Sequence, residues 1–374
     1  MMVAQKPIKF IAVLVLFMTS VLTFANGGQH EGETHEKGNK IDTPEEIKAY
    51  IAHHLKDSHD FHLYTNNETG VHYGFPLPVI VWTSGGLKTF MSSEFHHDDA
   101  GHVIVEKGDV NLTKIHGKIY ELNAGAETVA FDDHHHATNA HKVLDFSITK
   151  SVVGMLVAGL LMIFGFGALA KGYKKGAIPT GVGRALEPLV IYVRDEIARP
   201  NIGEKKYRKF MGFLLTVFFF IWILNLLGLT PLGFNVTGQI AVTACLAIFT
   251  MVIYLFSGSK DFWAHTLWMP GVPYILRPIL AVIELIGFVL IKPFSLLVRL
   301  FANMTAGHFV VMSLIALVIL MKEAFGPVAS TGVSLVLALF ITVIEVLVAF
   351  LQAFIFTMLS SLFIGMAVEE HDHH

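Results

Sequence analysis

Between residues 332 and 368 the chain runs for 37 residues with a single charged side chain, Glu345. As a helix this run is about 55 Å long at 1.5 Å per residue. The hydrocarbon core of a bilayer is about 30 Å thick and is crossed by roughly 20 apolar residues. The run before it, 279–321, is longer still, about 64 Å, with Pro293 available to bend it. Helices of this length must tilt steeply or lie partly along the membrane. A lipid-facing helix gains nothing from that, whereas a pair wrapped around a curved partner would.

Three shorter apolar runs precede these two, at 152–170, 210–229 and 239–257, each of membrane-crossing length. Composition agrees: 53% of the 374 residues are hydrophobic and only 15% charged, against about 25% charged in an ordinary soluble domain. Between the first two runs, "VGRALEPLVIYVRDEIARP" places apolar residues on one side and charges on the other, the pattern of a helix lying in the interface. The expected architecture is an all-α polytopic membrane domain over 151–370. It has five transmembrane helices and an interfacial amphipathic helix, the last two membrane helices being long and tilted. Cys245, the only cysteine, lies within an apolar run and reads as a small core residue.

The N-terminal third differs. Residues 1–25 follow the order of a secretory signal peptide, with Lys6 and Lys9, then "FIAVLVLFMTSVL", then small Ala25. A short retained membrane helix is the alternative. Residues 26–150 are polar and His-rich, with 15 histidines in 26–145. "TPEEIKAYIAHHLKD" at 43–57 reads as a short helix capped by Thr43 with Pro44 in its first turn. The stretches that follow show broken alternation between turn residues, so a small mixed α/β extramembrane segment is expected. The histidines, including His96, His97 and the run at 134–136, have no fixed ligand spacing; they read as a hydrophilic outer surface rather than a metal site.

Loop charges set the expected orientation. Residues 171–209 hold ten Lys and Arg, the 230–238 loop holds none, and a loop at 322–331 holds only Lys322. By the positive-inside rule 171–209 is cytoplasmic, which puts 26–150 outside and the C-terminus inside.

Against this apolar background a few polar groups stand out. Arg299 lies near the middle of the fourth run, where a cation costs about 2.5–3.5 kcal/mol on insertion scales. Ser295 and Asn303 lie one helical turn to either side of it. His308 is nine residues on, nearly the opposite face of the helix. In the fifth run Glu345 and Gln352, seven apart, share a face. Glu284 is a further acid near the expected cytoplasmic end. Desolvated Glu and His both titrate near neutral pH, so these groups can pass protons. No nucleotide-binding glycine loop, zinc-protease motif or nucleophile elbow occurs, which excludes the common soluble-enzyme chemistries.

"KPFSLLVRLFANMTAGH" and "EVLVAFLQAFIFTMLSSLFI" together resemble the subunit a family of the F-type ATP synthase membrane sector. "LNLLGLTPL" at 224–232 resembles that family's Asn-containing helix end, and the likeness covers about 150–370. The resemblance implies a non-catalytic, proton-conducting stator subunit in a bacterial inner membrane, coupling flow through two half-channels to rotation and ATP synthesis. Arg299 would face the c-ring, with Asn303 and Gln352 beside it. His308 and Glu345 would form the histidine and acid of the outer half-channel, exchanged between helices as in the family's mitochondrial branch. Glu284 and Ser295 would belong to the proton pathway. The implied partners are the c-ring, subunit b and through it the F1 sector, and lipid; no cofactor, metal or nucleic acid is implied. A secondary transporter with the His-rich segment as collector is the rival reading. It would call for inverted repeats, and no internal repeat is found. A structural membrane anchor would leave the intramembrane Arg, His and Glu unexplained.

Overall fold

The structure is a computed structural model describing residues 56–65, 72–96, 98–123, 125–126, 128–132, 137–176, 181–230, 234–268 and 271–369. The signal peptide, positions 43–55 of the helix expected at 43–57 and the histidines at 97 and 134–136 lie outside these residues. Lys56 and Asp57, the last two positions of that expected helix, are not helical. The Asp57 carboxylate instead accepts hydrogen bonds from the backbone N–H of Ser58 and of Ser151.

The chain divides into two compact units. Among the described residues the first contains nine strands: β1 (Asp60–Thr65), β2 (His72–Pro76), β3 (Pro78–Thr83), β4 (Gly86–Met91), β5 (Ala100–Lys107), β6 (Val110–Ile115), β7 (Lys118–Leu122), β8 (Ala140–Lys142) and β9 (Leu144–Asp145). They form three antiparallel sheets, ordered β1-β2, β4-β3-β9 and β5-β6-β7-β8. The period-2 rule is plain in β3, where Val79, Val81 and Thr83 are buried and the intervening residues are not. Those valines meet Phe90, Phe95, Val105, Leu112, Ile119 and Val143 in one small core. Between β6 and β7 the two-residue turn His116 and Gly117 has φ of 49° and 76°. Two consecutive positive values are what a hairpin matching the right-handed strand twist requires, and glycine supplies the second without strain.

The membrane unit is helical. Its helices are α1 (Lys150–Lys175), α2 (Val182–Tyr192), α3 (Tyr207–Gly228), α4 (Ile240–Phe256), α5 (Lys260–Leu267), α6 (Arg277–Ile286), α7 (Lys292–Phe325) and α8 (Pro327–Val368); the N-terminal turn of α1 and the junction of α7 with α8 fall in the first unit. Among the described residues four spans are long and apolar enough to cross a membrane: Lys150–Lys174, Tyr207–Gly228, Arg277–Leu314 and Thr331–Val368, the last two 38 residues each. The α4 and α5 pair counts as a fifth span, or as a re-entrant turn, because its axis bends by 101°. The chain is thus a polytopic membrane protein.

Proline organises two of these segments in the same way. A π-helical turn, Val193–Ala198, ends two residues before Pro200, and a second, Gly287–Ile291, ends two before Pro293. Proline has no N–H for the carbonyl four residues back and its ring presses against that carbonyl; a widened turn relieves both problems. Within the second turn the Phe288 carbonyl accepts the Tyr254 hydroxyl, an interhelical bond at a point where regular helix bonding is interrupted.

The core of the membrane unit is aromatic on α3 and small-sided on α8. Phe218, Phe219 and Trp222 stack edge to face, with Phe350 of α8 against Phe218 and Trp222. Ala349, Ala353, Ser360, Ser361 and Gly365 are buried on α8. A Cβ at Gly365 would lie 2.0 Å from the Asn201 carbonyl oxygen, so two backbones touch there. Close approach through small residues is how membrane helices gain contact when lipid is as apolar as their side chains.

Two expectations fail. The loop expected at 322–331 is a single residue, Gly326, between α7 and α8. Gly326 takes φ of 78° and Pro327 opens α8, so a residue that stops one helix and a residue that starts the next stand side by side. Cys245 is exposed, not in a core. Hydropathy cannot separate the two cases here, because lipid-facing positions are as apolar as buried ones.

Candidate functional site

Three helices meet around the polar residues. On α8, Glu345, Val348, Ala349 and Gln352 follow an i, i+3, i+4, i+7 pattern and so share one face. On α7, Asn303, Met304, Gly307 and His308 turn toward them, and Asn225 with Leu229 closes the space from the end of α3. These residues line one small cavity with room for ordered water.

Two glycines keep the space open. A Cβ on Gly307 would lie 2.7 Å from Glu345 Oε1, and one on Gly228 would lie 2.6 Å from Met304 Cε and 3.2 Å from His308 Nε2. Both groups therefore approach α7 and α3 at sites where only hydrogen projects from the backbone.

Hydrogen bonds fix the register of α7 on α8. Gln352, 3% exposed, donates from Nε2 to the Arg299 carbonyl at 2.5 Å and accepts from Asn303 Nδ2 at 3.1 Å. Asn225 accepts from Thr237 Oγ1 at 2.7 Å and donates to the Ala349 carbonyl at 3.4 Å. These are full amide partnerships, as burial away from water demands.

Arg299 is only half-buried, beside fully buried Leu300. Among the described residues its guanidinium has no hydrogen-bond or ion-pair partner. Its backbone belongs to the Gln352 network while its side chain does not line the cavity. The structure therefore gathers Asn303, His308, Glu345 and Gln352 around one space. Ser295 is exposed one turn before Arg299, and half-buried Glu284 sits on α6, roughly 22 Å along the same span. Neither lines the cavity.

Sequence reasoning by itself did not place Asn225, Met304, Gly228 and Gly307 in this space. Asn225 had a usable signal, an amide inside an apolar span, which carries the same cost as any intramembrane polar group. The glycines and Met304 had none, because their part depends on which helix faces them.

The sequence profile of the ATP synthase A chain matches residues 152–365, and that of a domain of unknown function (DUF8433) matches 50–146. An ATP synthase subunit a of Chloroherpeton thalassium is 46% identical over 237 residues, 61% of this chain and 69% of that protein. An ATP synthase subunit a 2 of Chlorobium luteolum is 39% identical over 282 residues, 73% of this chain and 79% of the relative. An ATP synthase subunit a of Anaeromyxobacter is 42% identical over 239 residues, 62% and 56% of the two chains. With the profile covering more than half of its length and carrying every residue of the cavity, the chain belongs to the ATP synthase A chain family.

Proposed function

We propose that this chain is the proton-conducting stator subunit of an F-type ATP synthase membrane sector, set against a ring of c subunits and held to F1 through subunit b. The observation that supports this most is the Arg299 guanidinium, without a hydrogen-bond or ion-pair partner among the described residues, on a residue whose carbonyl is held by Gln352 of the same water-sized cavity that holds both His308 and Glu345. A cation in an apolar span is costly unless a counter-charge meets it, and a rotating partner's carboxylate would do so.

Protons would enter from the outer side through the cavity, passing between His308 and Glu345 to a ring carboxylate. Once neutral, that carboxylate can face lipid. After nearly a full turn it would reach a second aqueous path, with Glu284 and Ser295 on its wall, and release its proton to the cytoplasm. Arg299 separates the two paths and favours the ionised carboxylate as it passes. Each charge crossing gains about 2.3 kcal/mol per 100 mV of potential, which rotation conveys to ATP synthesis elsewhere in the complex. Gln352 and Asn303 hold the Arg299 backbone steady. In this reading residues 1–25 direct export, 26–150 form an extracytoplasmic domain, and five spans and an interfacial α2 make up 151–370. The over-long α7 and α8 form the curved face against the ring.

The test is passive proton flux through vesicles stripped of F1. Glu345→Gln and His308→Ala each lower flux by about tenfold or more while the membrane sector still assembles. Unchanged flux in both variants overturns the pathway.

A further inference from the structure

The β4-β3-β9 sheet buries one face in the small core, and among the described residues nothing covers the other. On the uncovered face Trp82 pairs with Leu87 on one side and with Leu144 on the other. These three are 56%, 55% and 65% exposed. Strand pairing continues past β9, since Phe146 N–H donates to the Ile80 carbonyl and Ile148 N–H to the Pro78 carbonyl. Phe146, 63% exposed, therefore stands beside Ile80, and Met91, 42% exposed, lies opposite Pro78 at the end of β4. Among the described residues that β3 and β4 place on this face, Thr89 is polar and none is charged; exposed Lys142 lies two residues before Leu144, at the edge of the face. The result is an apolar plate with two exposed aromatics, the kind of contiguous patch that marks an interaction site.

The strand that supplies its third row runs directly into α1. From Leu144 to Lys150 is six residues, at most about 20 Å of extended chain. The junction is also pinned: Lys150 N–H donates to the Ser58 carbonyl at 2.9 Å and Ser151 N–H to Asp57 Oδ1 at 3.0 Å. The plate is thus tethered, on a short and braced neck, to the point where the chain enters lipid.

We propose that this plate docks on the bilayer surface, with Trp82, Phe146 and Leu87 at the headgroup level. The chemistry on the page fits lipid better than a protein partner. The face offers apolar area and a tryptophan suited to the interface, its described β3 and β4 positions carry no charge to fix a protein partner's orientation, and the Lys142 at its edge suits a headgroup region. This inference does not depend on the proton pathway.

The test uses the full-length protein in lipid vesicles, in a Cys245→Ser background, with a nitroxide at Leu87→Cys or, as a second site on the same plate, Thr89→Cys. Asp109→Cys, in the exposed β5 to β6 turn, is the control. Collision of the label with dissolved oxygen is compared with collision by a water-soluble nickel chelate. The expected result is oxygen dominating at 87 and 89 and nickel dominating at 109. Nickel dominating at all three means that the plate stays in water and overturns the proposal. Exclusion of both reagents at 87 and 89 means that protein covers the plate, from this chain or another, and equally overturns it.

Discussion

Single atoms decide how the cavity works. Gly307→Ala places a methyl group 2.7 Å from Glu345 Oε1. The carboxylate is the free end of a flexible side chain, so it moves and the helices stay. The expected outcome is an assembled protein with proton flux reduced several-fold, read in F1-stripped vesicles. Gln352→Ala acts differently. It strips a buried bridge from the Arg299 carbonyl and from Asn303, which costs about 1–2 kcal/mol within a membrane. Thermal unfolding in detergent should therefore shift down by a few degrees, and ATP-driven pumping should fall with it. Of these residues, the charged and amide ones were legible in the sequence because each is expensive in lipid and so needs a reason to be there. The glycines were not, because a missing Cβ has meaning only once its neighbour is known.

At the scale of elements, the long apolar runs fixed the helices to within a few residues, and Pro293 marked a point where the fourth run departs from regular helix. What failed was the join between the last two helices. A count of polar residues suggested a loop, whereas Gly326 at φ of 78° and Pro327 make the turn alone. Gly326→Ala should destabilise the protein by about 1 kcal/mol, since alanine must adopt a left-handed backbone there. The midpoint of thermal unfolding checks it. The β sheets depend on acids instead. Burial would raise the carboxyls of Asp98 and Asp145. At Asp98 the N–H groups of Val103 and Ala100 outweigh it, and at Asp145 His59 and Ser147 do, so both are held below the usual aspartate range. Their contribution to stability is complete above about pH 3.9, the unfolded value, and is lost as pH falls through the lower native values. Hydrogen exchange of β3 and β5 amides should accelerate in that acid window, and Asp98→Asn should flatten the change. Acceleration on raising the pH from 5 to 8, beyond the ordinary rise in intrinsic exchange, would contradict the assignment.

For the molecule as a whole, the sequence showed a membrane protein through sheer apolar length, and the paired C-terminal motifs pointed to its family. It could not show that Asn303 and His308, five residues apart on α7, line one space, because helical phase alone puts them on different faces. That required the partner helices α3 and α8. Arg299 is the residue proposed to couple ion flow to rotation, and that role is tested by ATP-driven acidification of inverted vesicles carrying Arg299→Ala, with and without added Na⁺. The wild-type complex should acidify the lumen whether or not Na⁺ is present. The variant should assemble with its ring and F1 yet produce no ATP-driven acidification. Wild-type pumping rates from an assembled Arg299→Ala complex would contradict the claim.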